Sequence, residues 1–381
     1  MTDTSSLVRW LMDGARSAPT PQAVLAGLCA GLVGCGVPLE RVRVFIQTLH
    51  PNLMGRVFTW RPDRDVEIGE ASLDVLGSKP FLASPIAHVG STGKSVRRRL
   101  VDPNCVLDFP ILDELRAEAV TDFLCVPLIF STGAIHAVTW STKAPLGFSD
   151  DALAGIELVI APLARMAEIW ALRRIATNLL DTYVGRQSGA KILAGRIRRG
   201  DTEDIQAVIW QSDLRGFTPM ADHLPPAELL ALLNQFFDCQ VPMIGAQGGE
   251  VLKFLGDGLL AIFPVASDQP VAAICEAALA AARATQAAIA AMAGDVQYGV
   301  ALHIGKVSYG NIGGGDRLDF TCIGPAVNMT ARLEKLSAEL RREVVASEDF
   351  ARYAPQAFTY LGEFPLKGFD APQPVYGLRS A

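Results

Sequence analysis

The run GGEVLKFLGDGLLAIF, Gly248 to Phe263, constrains the fold more than any other stretch of the chain. Two apolar runs flank Gly256-Asp257-Gly258, so the segment predicts a β-hairpin with Asp257 at its tip. The glycines beside that carboxylate let a ligand approach the backbone closely. Lys253 stands within the first strand, between apolar neighbours. Asp-Gly hairpins are common, and a turn-forming aspartate with an outward-facing strand lysine would account for this segment taken alone.

Two further segments carry chemistry-bearing residues at the ends of strands. The apolar strand AVIWQ runs into Ser212-Asp213-Leu214-Arg215-Gly216-Phe217-Thr218, which sets a carboxylate at a strand end before a glycine turn. Farther on, Phe320-Thr321-Cys322-Ile323 passes through Gly324-Pro325 into a helix. Asn328 and Arg332 are four apart there and share one helical face. An amide and a guanidinium on one face can hold a sugar and a phosphate.

Taken in order, these segments resemble the catalytic domain of class III nucleotidyl cyclases. The resemblance rests on SDLRGFTPMAD, GGEVLKFLGDGLLAIF, YGVALHIGKVSYGNIGG, DFTCIGPAVNMTARLEKL and LGEFPLKGFDAPQPVYGL, across residues 204–379. It implies an α/β (α+β) fold, ferredoxin-like in plan, with an antiparallel-rich sheet. It also implies conversion of ATP to 3′,5′-cyclic AMP and pyrophosphate.

Residue by residue, the resemblance gives Asp213 and Asp257 to two divalent ions per active site, Mg²⁺ or Mn²⁺. The backbone of Leu214, Arg215, Gly216, Phe217 and Thr218 would face the phosphates. Lys253 would read the purine, because an ammonium can donate to adenine N1 and cannot pair with guanine N1–H. Thr321 takes the second base-reading position, where its hydroxyl can accept from the adenine amino group. Asn328 would orient the ribose, and Arg332 would stabilise negative charge on the α-phosphate. Lys367 would bind the β- and γ-phosphates. Pro325 departs from the family, which often has an acidic residue there.

In the family, each active site forms between two catalytic domains. Asp213 and Asp257 would come from one chain, and Lys253, Thr321, Asn328, Arg332 and Lys367 from the other. A single catalytic domain carrying both sets implies a homodimer. The alternatives are a guanylate or mixed-specificity cyclase and a non-catalytic cyclase-like signalling module. No GGDEF-like run supports a diguanylate cyclase.

The charged run Arg196 to Asp204 divides the chain. The expected organisation is a regulatory domain at 1–165, a helical linker at 166–203 and the catalytic domain at 204–381. In the first part, Ala23 to Val33 reads as a helix. Arg41 to Leu49, Gly55 to Trp60, Phe123 to Phe130 and Ile135 to Thr142 read as strands, the last two joined by a turn at Ser131-Thr132-Gly133. Ser149 offers an N-cap to a helix over 150–183, which Pro162 is expected to kink or split. Ile169, Leu172, Ile175 and Leu179 recur at spacings of three and four, which predicts a buried stripe.

The run FLCVPLIFSTGAIHAVTWST, followed by GFSDDALAGIELVIAPLA, resembles a GAF-type small-molecule sensor. It implies an unidentified ligand whose binding is passed to the catalytic domain through the helix near residues 165–185. His50, His88 and His136 have no metal spacing. In the second part, helices are expected from Pro225 through Phe237 and from Val271 to Met292, with His303 in the core.

Composition excludes several classes. Half the residues are apolar and 19% charged, so the chain can bury cores. A net charge of −6 argues against a nucleic-acid partner. No run reaches the roughly 20 apolar residues of a membrane-spanning helix, and MTDTSSLVRWLMDGAR lacks the pattern of a secretory signal. The seven cysteines contain no CxxC pair, which fits free thiols and a cytoplasmic location.

Overall fold

Strands that alternate two apolar faces need cover on both sides, and each half of this chain supplies it with helices. The computed structural model describes residues 4–48, 53–292, 294 and 296–379. The chain parts into two units, Met1–Leu179 and Leu180–Ala381. His50, and the expected strand end at Leu49, lie outside the described residues.

The first unit comprises α1 (Ser5–Met12), α2 (Pro21–Gly34), β1 (Arg41–Gln47), β2 (Leu53–Trp60), β3 (Glu67–Ser72), α3 (Lys79–Leu82), α4 (Pro85–Thr92), β4 (Val96–Arg98), α5 (Ile111–Ala117), β5 (Asp122–Ile129), β6 (Ile135–Thr142) and α6 (Asp150–Tyr183), whose last turn passes the division. Its sheet is antiparallel, in the order β3-β2-β1-β6-β5-β4. On one face Val44, Val138 and Trp140 pack with Leu28 of α2 and with Ile156 and Val159 of α6. On the other, Phe123, Cys125 and Ala137 meet Val89 of α4 and Leu112 of α5.

Helix starts follow the expected capping chemistry. Thr20 Oγ1 accepts from Ala23 N–H at 3.2 Å at the head of α2, and Ser149 Oγ accepts from Ala152 N–H at 3.2 Å at the head of α6. Two expectations for α6 fail. Pro162 does not split it: the helix runs unbroken for 34 residues with the proline buried. The stripe is also not buried, since Ile169, Leu172 and Leu179 are 58%, 57% and 44% exposed. The packed side of α6 is set instead by Ile156, Val159, Leu163 and Met166 and continues to Trp170. Leu172 and Leu179 fall roughly half a turn around the helix from Trp170.

The second unit comprises α7 (Arg186–Leu193), β7 (Thr202–Leu214), α8 (Phe217–His223), α9 (Pro226–Asp238), α10 (Val241–Ala246), β8 (Glu250–Leu255), β9 (Gly258–Pro264), α11 (Val271–Ala290), β10 (Tyr298–Gly314), β11 (Arg317–Ile323), α12 (Pro325–Glu339), β12 (Val344–Ser347), α13 (Glu348–Ala351), β13 (Phe358–Phe364) and β14 (Gln373–Leu378). The strands follow the order β13-β14-β12-β10-β7-β9-β8, with β11 paired to β10. Among the described residues, only β10 and β12 run parallel. One face buries Val208, Trp210 and Leu302 under Phe236 of α9 and Ala278 and Ala282 of α11. Alanines along α11 let that helix sit close to the sheet. Ala301, on the opposite face, packs on Met329 and Leu333 of α12. No helix among the described residues is long and apolar enough to cross a membrane.

His303 is buried on β10, with Nδ1 2.7 Å from Ser347 Oγ. Burial pushes its pKa from 6.5 down to about 4. Below pH 6.5 the unfolded chain takes up a proton that the folded chain refuses until about pH 4. Stability contributed at neutral pH is therefore lost as the pH falls through that window. Chemical denaturation at pH 7 and pH 5 should show a smaller pH-dependent loss in His303→Gln than in the parent chain.

Candidate active site

Asp213 is the penultimate residue of β7, opposite Gly299 of β10. Asp257 reaches the same place from the neighbouring hairpin. Leu255 pairs with Gly258, so the turn is Gly256-Asp257, with Gly256 at φ +71° in the left-handed region. Gly258 is what allows the hairpin to close onto β7. A Cβ there would lie 2.1 Å from Ser212 O and 3.0 Å from Asp213 Oδ1.

The two carboxylates interact directly. Partial burial, then the charge of Asp257 and a hydrogen bond with it, push the Asp213 pKa from 3.8 up to about 6. The backbone N–H of Leu214 and the Lys335 ammonium act in the opposite direction. Behind the pair, burial and the charges of Asp213 and Asp257 push Glu334 of α12 up to about 7, against the opposing pull of Arg215 and Lys335. Two hard oxygen donors that repel each other suit a divalent cation, and magnesium is commonly held by one or two carboxylates plus substrate phosphates. Among the described residues, no group of three or more His, Cys, Asp or Glu side chains forms a cage of its own.

The loop after β7 divides in two. Leu214 is buried, and the Arg215 N–H donates to Gln297 O at 2.8 Å. The Arg215 guanidinium donates to Ser337 O at 2.9 Å and to Ser337 Oγ at 3.3 Å, near the end of α12. Gly216 then caps α8, whose first turn holds Phe217 and Thr218. The N–H groups of such a first turn have no acceptor within the helix.

Lys253 is on β8, where Nζ donates to Asp319 Oδ2 of β11 at 3.1 Å. Thr321 lies two residues beyond Asp319 and therefore on the same face of β11. It is buried, and its Oγ1 has no hydrogen-bond partner among the described residues. Asn328 is exposed in the first turn of α12. Arg332, one turn on, donates through Nε to the carbonyl of Lys367 at 3.3 Å. The Lys367 side chain is exposed between β13 and β14.

The structure thus brings Asp213 to Asp257, Lys253 to Asp319, and Arg332 to Lys367. Among the described residues, no hydrogen bond or ion pair joins the aspartate pair to Lys253, Thr321, Asn328, Arg332 or Lys367. Sequence reasoning missed Asp319, although its two-residue offset from Thr321 was a usable signal. It also missed a buried cluster at the root of the hairpin. Glu250, the first residue of β8, accepts from Ser188 N–H at 2.9 Å and from Tyr309 Oη at 2.8 Å. Ser188 Oγ and Tyr309 Oη are 2.8 Å apart. Gly185, at φ +100°, passes so near that a Cβ would lie 2.6 Å from Glu250 Oε1. Helix α7 is thereby fixed to the strand that bears Lys253.

Residues 202–379 match the family model of the adenylate and guanylate cyclase catalytic domain. The second unit accordingly carries a class III nucleotide cyclase domain. Over 279 residues the chain is 31% identical to the uncharacterized protein Rv1319c of Mycobacterium tuberculosis strain H37Rv, a match covering 67% of this chain and 51% of that protein. Over 268 residues it is 32% identical to the uncharacterized protein Rv1320c of the same strain, covering 64% and 46%. The chain spans about half the length of these relatives. Among solved structures, the adenylyl cyclase CyaB from P. aeruginosa aligns at 24% identity and TM-score 0.42, over 48% of this chain and 97% of that one. The guanylate cyclase domain of RhGC from Catenaria anguillulae, in complex with GTP, aligns at 16% and 0.41, over 47% and 98%.

Two outcomes test this geometry. Above about pH 6 Asp213 is charged, so Mn²⁺ or Mg²⁺ should raise the melting temperature at pH 7.5. That rise should shrink at pH 5, as Asp213 takes up a proton, and should vanish in Asp257→Asn. Glu250→Ala leaves the Ser188 N–H and the Tyr309 hydroxyl without their buried acceptor. It should destabilise the second unit by about 2–3 kcal/mol in a denaturant titration.

Proposed function

We propose that the chain is an adenylate cyclase that makes 3′,5′-cyclic AMP and pyrophosphate from ATP, acts as a homodimer, and is regulated by its first unit. The observation that carries the reading is the pairing of the Asp213 carboxylate, at the end of β7, with that of Asp257, on the hairpin that also bears Lys253, in a close approach that Gly258 permits. Divalent ions at that pair would supply acidity to the ribose 3′-hydroxyl and positive charge to the phosphate oxygens.

The chain's own residues do the rest. Lys253, steadied by Asp319, donates to adenine N1, and the unpartnered Thr321 hydroxyl accepts from the adenine amino group. Asn328 orients the ribose so that its 3′-oxygen faces the α-phosphorus. That oxygen loses its proton and forms a P–O bond, while the bond to the bridging oxygen breaks and pyrophosphate leaves with the electron pair. Arg332 stabilises the charge that gathers on the α-phosphate oxygens, Lys367 holds the leaving pyrophosphate, and the backbone from Gly216 to Thr218 faces the phosphates.

Sheet geometry supports the two-chain reading. Asp213 pairs with Gly299 and Thr321 with Gly310, eleven positions apart on β10, a span of up to about 36 Å in an extended strand. One nucleotide needs both ends, which two copies arranged head to tail would supply. On α6 the exposed Ile169, Leu172, Leu179 and Tyr183 follow the three-and-four spacing of a self-pairing helix seam. For regulation, the support is an antiparallel sheet covered by helices, the GAF-like plan, leading into α6. No disulfide joins cysteines among the described residues, which supports a cytoplasmic location.

One observation favours a second reading. The Asp319 carboxylate beside Lys253 can accept from the N1–H and amino group of guanine, which suits a mixed-specificity or guanylate cyclase. The purified chain, given ATP or GTP with Mg²⁺ or Mn²⁺, should release cyclic AMP and pyrophosphate, with a higher kcat/KM for ATP. Asp257→Ala should lower turnover at least a hundredfold. An equimolar mixture of Asp257→Ala and Arg332→Ala chains should recover about a quarter of the parent activity, because half the dimers then hold one intact site of two. A higher kcat/KM for GTP would establish the second reading. Silence under every condition would leave the non-catalytic module.

A further inference from the structure

The first unit contains a cavity of about 330 Å³, within the size range of small-molecule sites. Its floor is the outer part of the sheet, where Val44 and Ile46 of β1 lie beside Phe58 of β2 and Ile68 of β3. One wall is the head of α2, at Val24 and Leu25. The other is α6, which presents Leu163, Met166, Trp170, Arg174 and Thr177. Those five recur at spacings of three and four, so one continuous helical face lines the cavity for about 21 Å. Thr48, in the lining, approaches the Asn178 amide at 3.5 Å.

The lining is mainly apolar and its charge has one sign. It includes Arg56, Arg173 and Arg174 and no carboxylate. Arg56 is already paired with Glu70 at 2.6 Å. Arg173 lies over the Trp170 ring, 5.8 Å from its centroid. Among the described residues, neither Arg173 nor Arg174 makes an ion pair. An apolar chamber with unneutralised guanidinium groups at its edge is complementary to a molecule with an apolar body and one anionic end.

We propose that this cavity binds an apolar monocarboxylic acid, its hydrocarbon among Val44, Phe58, Leu163 and Trp170 and its carboxylate on Arg173 and Arg174. The occupant would touch α6 along four turns, and that helix continues without a break to Tyr183. This deepens the reading of the first unit as a regulatory sensor and rests on it only for the effect on turnover, not for the binding itself.

Isothermal calorimetry on the full chain, with decanoate as the probe and decan-1-ol as its uncharged counterpart, tests the site. Decanoate should bind saturably, one per chain, and at least tenfold more tightly than decanol. The double variant Arg173→Gln/Arg174→Gln should weaken decanoate at least tenfold with the melting temperature unchanged. Ala167→Trp, which fills the chamber, should abolish binding. Absence of saturable binding, equal affinity for decanol, or binding that survives both variants overturns the proposal. So does loss of self-association in Ala167→Trp together with no decanoate binding to the parent, since the cavity would then be covered by a second copy. Cyclic nucleotide release measured in the same samples separates the two readings. Binding of the expected kind with turnover unchanged at saturation supports the site and refutes its use as a sensor.

Discussion

The long antiparallel ladder between β7 and β10 is the constraint on which the second unit depends. It joins thirteen residue pairs, from Tyr298 with Leu214 to Gly310 with Thr202. Asp213 stands near one end, and its position is fixed by pairing with Gly299 and by the neighbouring Ser212–Leu259 pair with β9. At the other end β10 also pairs with β11, which brings Asp319 and Thr321 into register with Ile312 and Gly310. The ladder therefore sets the spacing between Asp213 and the β11 residues Asp319 and Thr321. A strand slip of one residue would turn Asp213 to the face that Val208 and Trp210 now occupy and bury its charge under α9 and α11. The apolar alternation of β7 thus protects the register on which the aspartate geometry rests.

Locally encoded parts of this arrangement were legible in the sequence. The Gly256-Asp257-Gly258 hairpin needs only its two flanking strands, and Asn328 and Arg332 need only a helix. Both are visible in spacing alone, and both occur where spacing puts them. Lys253 with Asp319 and Glu250 with Ser188 and Tyr309 were not legible. Their partners are 66, 62 and 59 residues apart, so the contacts exist only once strand order is set. Periodicity in α6 was legible and its burial was not. Apolar residues at Ile169, Leu172 and Leu179 define a face, but the first unit had already used a different face of the helix to cover its sheet. Pro162 misled for a related reason. A proline removes one hydrogen bond and adds a steric clash, and the dense contacts that Val159, Leu163 and Met166 make on either side outweigh that local cost.

Helix α6 therefore carries different demands along its length and around its circumference. Ile156 and Val159 hold it to the sheet, Leu163, Met166 and Trp170 both pack on the core and line the chamber, Arg174 and Thr177 continue that lining, and Leu172 with Leu179 face outward. An occupant that meets Leu163, Met166 and Trp170 meets residues that also pack α6 against the core, so any response of the helix would run through contacts that hold it. The response has a thermodynamic limit. An occupant shifts the helix only by its difference in affinity between two arrangements, and a hundredfold difference is worth about 2.7 kcal/mol. An apolar chamber would supply such a difference readily, since any arrangement that narrows it excludes an occupant. The same helix joins the buried Glu250, Ser188 and Tyr309 cluster to the chain through only Val184 and Gly185. Gly185 adopts a φ that only glycine takes easily, so the chain turns sharply at this junction, and the fixed root of the Lys253 hairpin lies immediately beyond it.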